Sequence, residues 1–245
     1  MPRQIRQRVT KLWLAVPIRI AVVSICLAAC EAASSAFFAA PPRPATGRIA
    51  GVVQVVARST APLRPGAYPS RRVTKPAPTI SEIANVILFV ADAPADPQAA
   101  GRATIGQRDE TFTPRVLAVG RNSMVEFPNF DPFFHDVFSL SRAATFDLGR
   151  YPQGQTRERR FTRPGIVKVF CNIHSDMSAT LMVLDHRLFA MPAADGAFAI
   201  EAVPPGSWKL NAWHERIGST TKTVQVVAGD TTRVEFTLPV VDQSR

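Results

Sequence analysis

From residue 47 onward, apolar and polar positions alternate in short runs, each bounded by Gly, Pro, Asp or Asn. A period of two is the mark of a half-buried strand, and no stretch sustains the 3.6-residue period of an amphipathic helix. "GRIAGVVQVVAR" (47–58) and "NVILFVAD" (85–92) read as the first two strands. "TFTPRVLAV", "SMVEFPN", "HDVFSL", "ATFDLG", "RERRFTR", "IVKVF" and "ATLMVLD" come in quick succession up to Asp185, with a turn at Gly120-Arg121-Asn122. Many short strands at this spacing predict an all-β chain built as an antiparallel sandwich or barrel.

Beyond Asp185 the segments "RLFAMPA", "GAFAIEAV", "SWKLNAWHE", "TTKTVQVVAG" and "TTRVEFTL" alternate again. Turns fall at Asp195-Gly196, Pro204-Pro205-Gly206 and Gly229-Asp230. The expected layout is a larger sandwich over 47–185 and a smaller one over 186–240, the latter either separate or sharing the first one's core. Two stretches break the pattern. Residues 59–79 hold five prolines and four basic residues and read as an exposed insertion loop, and "APADPQAAGRAT" (93–104) reads as another loop. Residues 31–46, small and Pro-rich, read as a tether.

Charge changes the picture only at the N-terminus. Residues 1–30 contain Arg3, Arg6, Arg8, Lys11 and Arg19 and no acid, so half of the net charge of +10 sits there. The remaining 24 basic and 19 acidic residues form no cluster interleaved with aromatics of the kind that tracks a phosphate backbone, which argues against nucleic-acid binding. The basic stretch precedes "IAVVSICLAAC", an apolar run too short to span a bilayer, and together they read as an export signal. Two cuts fit it. Leu27-Ala28-Ala29-Cys30 resembles the lipobox of bacterial lipoproteins, in which Cys30 would be lipidated and anchor the chain in a membrane; a signal peptidase cutting near "ASSA" would leave it free. Glu31 stands where an Asp would retain a lipoprotein at the inner membrane, so the first cut implies the outer membrane. Either way the expected location is the bacterial periplasm.

Export leaves a single thiol, Cys171, in "VKVFCNIHSDMSATLMVL" (167–184). A lone cysteine in an oxidising compartment is buried, bonded to another chain, or bound to something. Both flanks of "CNIHSDM" are strand-like, so this short connection can turn Cys171, His174 and Met177 onto one point. Thiolate, imidazole and thioether form a soft set suited to copper, and His135 is available upstream as a second imidazole. Zinc accepts Cys and His but has little use for Met. A catalytic thiol would need an oxyanion site that the loop composition does not offer. A merely buried cysteine is the remaining reading.

The stretch "PNFDPFFHDVFS … FDLGRYPQGQTRERRFTRPGIVKVFCNIHSDMSATLMVLD" resembles the cupredoxins, the small blue copper proteins with a Greek-key β-sandwich. In them an Asn-x-Asp precedes the first His ligand, a Pro-Gly precedes the strand ending in Cys, and the Cys-x₂-His-x₂-Met loop is the short form seen in amicyanin. The resemblance covers about residues 47–184. It implies a type 1 copper with His135, Cys171 and His174 as equatorial ligands and Met177 as the axial one, and places Asn129 and Asp136 beside them. Asp136 departs from the Asn usual after the first His, so the surroundings of the cysteine sulfur should differ. Residues 187–240 resemble carboxypeptidase-regulatory or transthyretin-like β-sandwich modules.

The implied function is that of an exported, monomeric, non-enzymatic carrier of single electrons between redox protein partners. A copper-handling protein without redox partners and a structural β-sandwich with a vestigial site are the alternatives. His186 is expected at the surface or between the modules and His214 in a solvated loop. Phe130, Phe133, Phe134 and Phe138 are candidates for an apolar docking patch, with Phe127 and Phe138 assigned to the core. All four candidate ligands precede residue 178, so the chain beyond 186 is expected to be dispensable for the site.

Overall fold

The alternation becomes seventeen strands among the described residues, which in this computed structural model are 45–58 and 82–241. The basic leader, Cys26, Cys30, the tether up to residue 44 and the Pro-rich insertion lie outside them. In chain order the first elements are β1 (Gly47–Arg58), a 3₁₀ turn (Glu82–Asn85) and β2 (Val86–Val90). Ten strands come next: β3 (Arg102–Thr104), β4 (Gly106–Arg108), β5 (Thr111–Thr113), β6 (Val116–Gly120), β7 (Ser123–Pro128), β8 (His135–Ser141), β9 (Ala144–Tyr151), β10 (Thr156–Phe161), β11 (Gly165–Cys171) and β12 (Ser178–Leu184). The last five are β13 (Phe189–Ala190), β14 (Ala197–Val203), β15 (Gly206–His214), β16 (Gly218–Val226) and β17 (Thr231–Val241). No α-helix occurs among the described residues, and the fold is all-β.

Two sandwiches are present. In the first, a five-stranded sheet of order β6-β12-β11-β8-β9 faces the three-stranded β10-β7-β3, with β4 and β5 forming a small hairpin beside them. Its core gathers Ile105, Phe112, Val125, Phe127, Val137, Tyr151, Phe161, Val167, Val169, Leu181 and their neighbours. The second pairs β14-β1-β17 with β13-β2-β15-β16 around Ile49, Val53, Leu88, Val90, Ile200, Leu210, Phe236 and Leu238. β10 lies at an open edge and carries the exposed "TRERR", charges that discourage pairing with another chain.

The pairing moves the boundary expected at residue 185. β1 lies between β14 and β17, antiparallel to one and parallel to the other, and β2 is antiparallel to β15. Both strands therefore belong with the C-terminal ones, and the first sandwich, β3–β12, is inserted between β2 and β13. Alternation along "GRIAGVVQVVAR" specifies which face is buried but carries no information about which distant strand it joins.

The two cores touch through a third cluster. Val116, Ala118 and Met182 of the first sandwich pack on Ile87 and Trp213 of the second. This explains why "ATLMV" of β12 is buried without alternation: Ala179, Leu181 and Val183 face its own core while Met182 faces the other sandwich. Lys168 of β11 donates to the Thr180 hydroxyl and pairs with Glu215, which comes directly after β15. Burial and then the nearby Arg115 cation lower the pKa of Lys168.

The loop expected over 93–104 ends in β3, and "TFTPRVLAV" is two strands, split at Pro114-Arg115. Three-residue strands between Pro, Gly and Asp residues are too short to show a period.

Candidate metal centre

His135 opens β8 and Cys171 closes β11, and these two strands are antiparallel neighbours in the five-stranded sheet, with Cys171 opposite Val137. Sheet pairing alone thus brings together residues 36 positions apart. The loop 172–177 returns the chain to β12 and is pinned at three points. The Cys171 N–H donates to the Met177 carbonyl at 3.1 Å, the Met177 N–H to the His174 carbonyl at 3.1 Å, and the Asn172 N–H to the Asp136 carbonyl at 2.9 Å. A loop held this way presents its side chains in one orientation.

Cys171 Sγ lies 3.6 Å from His135 Nδ1 and 3.6 Å from His174 Nδ1, and the three ligand atoms lie within 4.8 Å of one another. One thiol proton cannot serve two imidazole nitrogens at once. A separation of 3.6 Å is what nitrogen and sulfur show when they share one cation at about 2.0 and 2.3 Å across a tetrahedral to trigonal angle. The residues therefore fit a soft divalent or monovalent metal. His135 and Met177 are fully buried, Cys171 is 5% exposed and His174 is half-buried, so the centre meets solvent on the His174 side. Met177 shares the core cluster with Cys171.

Phe133 covers the pair of imidazoles. Its ring stands edge-on to His135 at 5.4 Å and to His174 at 5.3 Å, and the two imidazoles stand edge-on to each other at 4.8 Å. Phe130, Phe134 and Ile173 are exposed on neighbouring loops. Phe127 is in the core as expected. Phe138 is not: it is half-buried on the outer face of its sheet, against Phe170 at 5.9 Å.

The Asn-x-Asp segment shapes the loop before His135. Asn129 donates through Nδ2 to the carbonyls of Phe133 and Tyr151, and its Oδ1 accepts the Asp131 N–H. Asp131 Oδ2 lies 2.9 Å from His135 Nε2, a contact that residue spacing alone does not single out. Burial by itself would raise the pKa of Asp131, but the Glu110 N–H, the His135 ring and the Asp109 N–H outweigh it and hold the carboxyl below its usual range. Behind them Tyr151 is fully buried, donates to the Phe127 carbonyl and accepts from Gln107 Nε2. Burial pushes its phenol well above the ordinary value.

Cys171, His135 and Asp131 also stand in the order of a thiol nucleophile, base and orienting carboxylate. The backbone tells against that use. The N–H groups of Cys171 and Asn172 are already spent on Met177 and Asp136 and do not form an oxyanion site there.

Asp136 meets the Asn172 amide at 3.4 Å through Oδ2, while Oδ1 is buried without a partner. Burial above all, and the neighbouring Asp147 carboxylate, raise its pKa against the opposing pull of Asn172 and Arg150. A carboxyl raised in the folded state supports folding fully below its unfolded value, and that support is lost as pH rises through the folded value. At neutral pH the ionised form is therefore a burden. Asp136→Asn should stabilise the metal-free protein by about 1 kcal/mol at about pH 7. The gain should shrink toward about pH 4, near the ordinary carboxyl value, as read from urea midpoints at the two pH values. An equal gain at both would show that ionisation of Asp136 is not the cause.

The other histidines stand apart from the centre. His214, expected in a solvated loop, is buried at the end of β15, where Nε2 lies 3.0 Å from Glu82 Oε2. Its ring nitrogen has a partner because β15 pairs with β2, directly after the turn that carries Glu82. His186 is also buried and accepts the Leu188 N–H. Burial lowers the pKa of both.

No protein-family model matches this chain, and no curated protein matches it. Among solved structures it is similar to a Cu-containing nitrite reductase (NirK) from Thermus scotoductus SA-01, at 26% identity over 34% of this chain and a TM-score of 0.32. The match spans 22% of that reductase. A novel purple cupredoxin from Nitrosopumilus maritimus is 19% identical over 33% of this chain and 98% of its own, at a TM-score of 0.31. A reduced Cu(I) form, at pH 4, of an amicyanin mutant is 20% identical over 39% of this chain and 90% of its own, at a TM-score of 0.32. Each likeness is partial, covering 33–39% of the chain.

Proposed function

We propose that this is an exported type 1 copper protein that carries single electrons between redox partners. The observation that supports it most is one buried thiol facing two imidazole nitrogens at equal distance. His135, Cys171 and His174 would be the equatorial ligands and Met177 the axial one. Bound copper would supply a one-electron couple whose two states can share nearly the same ligand positions.

The chain supplies rigidity and shelter. β8 and β11 fix His135 and Cys171 through sheet hydrogen bonds, and the three loop bonds fix His174, so the ligand atoms need little rearrangement when charge changes. Phe133 lies against both imidazoles, and half-buried His174, next in the chain to exposed Ile173, offers a partner the shortest approach.

Adding copper(II) to the purified protein tests the reading. An intense visible thiolate-to-copper band with reversible reduction is expected. Tight copper(I) binding without colour would assign a copper-handling role instead, and no binding at all a structural one.

Location is a separate proposal. If Cys30 is lipidated, the protein partitions with membranes and Cys30→Ala abolishes that partition. An unmodified N-terminus beyond residue 30 by mass spectrometry would refute the anchor.

A further inference from the structure

His135 has two ring nitrogens, and each faces a different neighbour. Nδ1 faces Cys171 Sγ at 3.6 Å, and Nε2 faces Asp131 Oδ2 at 2.9 Å. An ionised carboxylate only accepts hydrogen bonds, so the proton sits on Nε2 and the lone pair on Nδ1. We propose that Asp131 is the positioning residue of this centre: it locks His135 in the Nε2–H tautomer and strengthens Nδ1 as a donor to a divalent cation. The part about the cation rests on the proposed reading of the centre as a metal site. The part about the tautomer does not.

Asp131 is itself built in. It is 4% exposed, and its backbone N–H is held by Asn129 Oδ1 at 2.9 Å. The tip of the β4–β5 hairpin closes over its carboxylate, with the Asp109 N–H on Oδ1 at 2.6 Å and the Glu110 N–H on Oδ2 at 3.0 Å. Asp109 and Glu110 have φ of 54° and 55°, the left-handed pair that a two-residue hairpin turn needs and that Asn-Gly ordinarily fills. Two non-glycine residues are strained there, and the two charge-assisted hydrogen bonds to Asp131 offset the strain. Both N–H groups of this turn point at one carboxylate. A carboxylate behind a ligating imidazole orients the ring and raises its basicity, and removing such a partner typically weakens metal binding by about 10–100-fold.

The test is Asp131→Asn. With the amide oxygen on the Asp109 N–H, Nδ2 replaces Oδ2, gives up the Glu110 N–H and donates to His135 Nε2, which drives the ring proton to Nδ1 where the metal should bind. In metal-free protein with ¹⁵N-labelled histidine, NMR should show His135 as the Nε2–H tautomer in the wild type and the Nδ1–H tautomer in the variant. Cobalt(II) and copper(II), by competition with a chelator, should bind the variant about 10–100-fold more weakly. The copper reduction potential should rise, because the oxidised ion loses more than the reduced one. A wild-type Nδ1–H tautomer, or a variant with unchanged affinity and potential, overturns the proposal. If the variant does not fold, the wild-type tautomer still decides. If the wild type binds neither metal, the metal reading falls and the tautomer result stands by itself.

Discussion

In the Cys171→Ser protein the visible band expected of the copper(II)-loaded wild type is absent, and the protein remains folded. The sulfur is the hub of the centre: it is the one atom 3.6 Å from both imidazole nitrogens. A thiolate forms near neutral pH when a metal or cation assists it, whereas a serine hydroxyl stays protonated and gives no low-energy charge transfer. Copper(II) affinity should fall as well, because one of three strong donors is lost. Stability should change little, since serine is smaller by less than a methylene and His135 and His174 remain to accept its O–H; a shift of about 1 kcal/mol is expected. His135→Ala is the blunter experiment. It removes a ligand but also strands the Asp131 carboxylate in the interior, so lost colour there would be confounded by destabilisation. Absorption spectra and urea midpoints of the two variants separate these effects. An undiminished band in Cys171→Ser would show that the metal, if bound, is elsewhere.

The second large effect is on folding. A chain ended at residue 186 should be insoluble, contrary to the dispensability expected from ligand positions. The cut leaves β1 without β14 and β17, and β2 without β15. It uncovers Ile49, Val53, Leu88 and Val90, each worth about 1.5–3 kcal/mol when buried, on strands with open edges. A fragment spanning residues 92–187 keeps the entire first core and all four candidate ligands, and should fold and bind copper. It should be less stable than the full chain, because Val116, Ala118 and Met182 lose Ile87 and Trp213, and Lys168 loses Glu215. Circular dichroism and sedimentation of the two fragments check this. A soluble, folded chain ending at 186 would show that β1 and β2 are not needed where the structure places them.

The three residues gathered at the centre can be named from the sequence because their chemistry is rare and local. Cys171 and His174 share one loop, and a lone thiol must be accounted for. Asp131 is visible there only as part of a motif, since nothing in residue order says that a hairpin tip 21 positions earlier will aim two N–H groups at it. Its one advance signal is the non-glycine pair Asp109-Glu110 at a tight turn, and that pair reads as strained only once φ is known. Most strands are legible for the reason that burial on one face imposes a period of two. Their partners are not, since β1 joins β17 across more than 170 residues by backbone hydrogen bonds that no side-chain pattern encodes. His214 reads wrongly as solvated for a related reason: its partner Glu82 reaches it through that same long-range assembly.

The insertion of one sandwich within another also orders events during synthesis. β1 and β2 leave the ribosome first, but β14, β15 and β17, which they pair with, leave last. The sandwich holding the centre is complete at Leu184 and draws all its strand pairings from residues 102–184, so it can fold while the outer strands wait. Once folded, it brings the end of β2 and the start of β13 to neighbouring positions in one sheet, which shortens the effective loop that the outer sandwich must close. The inner sandwich thus acts as a template for the outer one. A substitution that slows the inner fold, such as a polar residue at Leu181, would prolong the exposure of two unpaired apolar strands, and its cost would appear as aggregation during synthesis before it appeared at the centre.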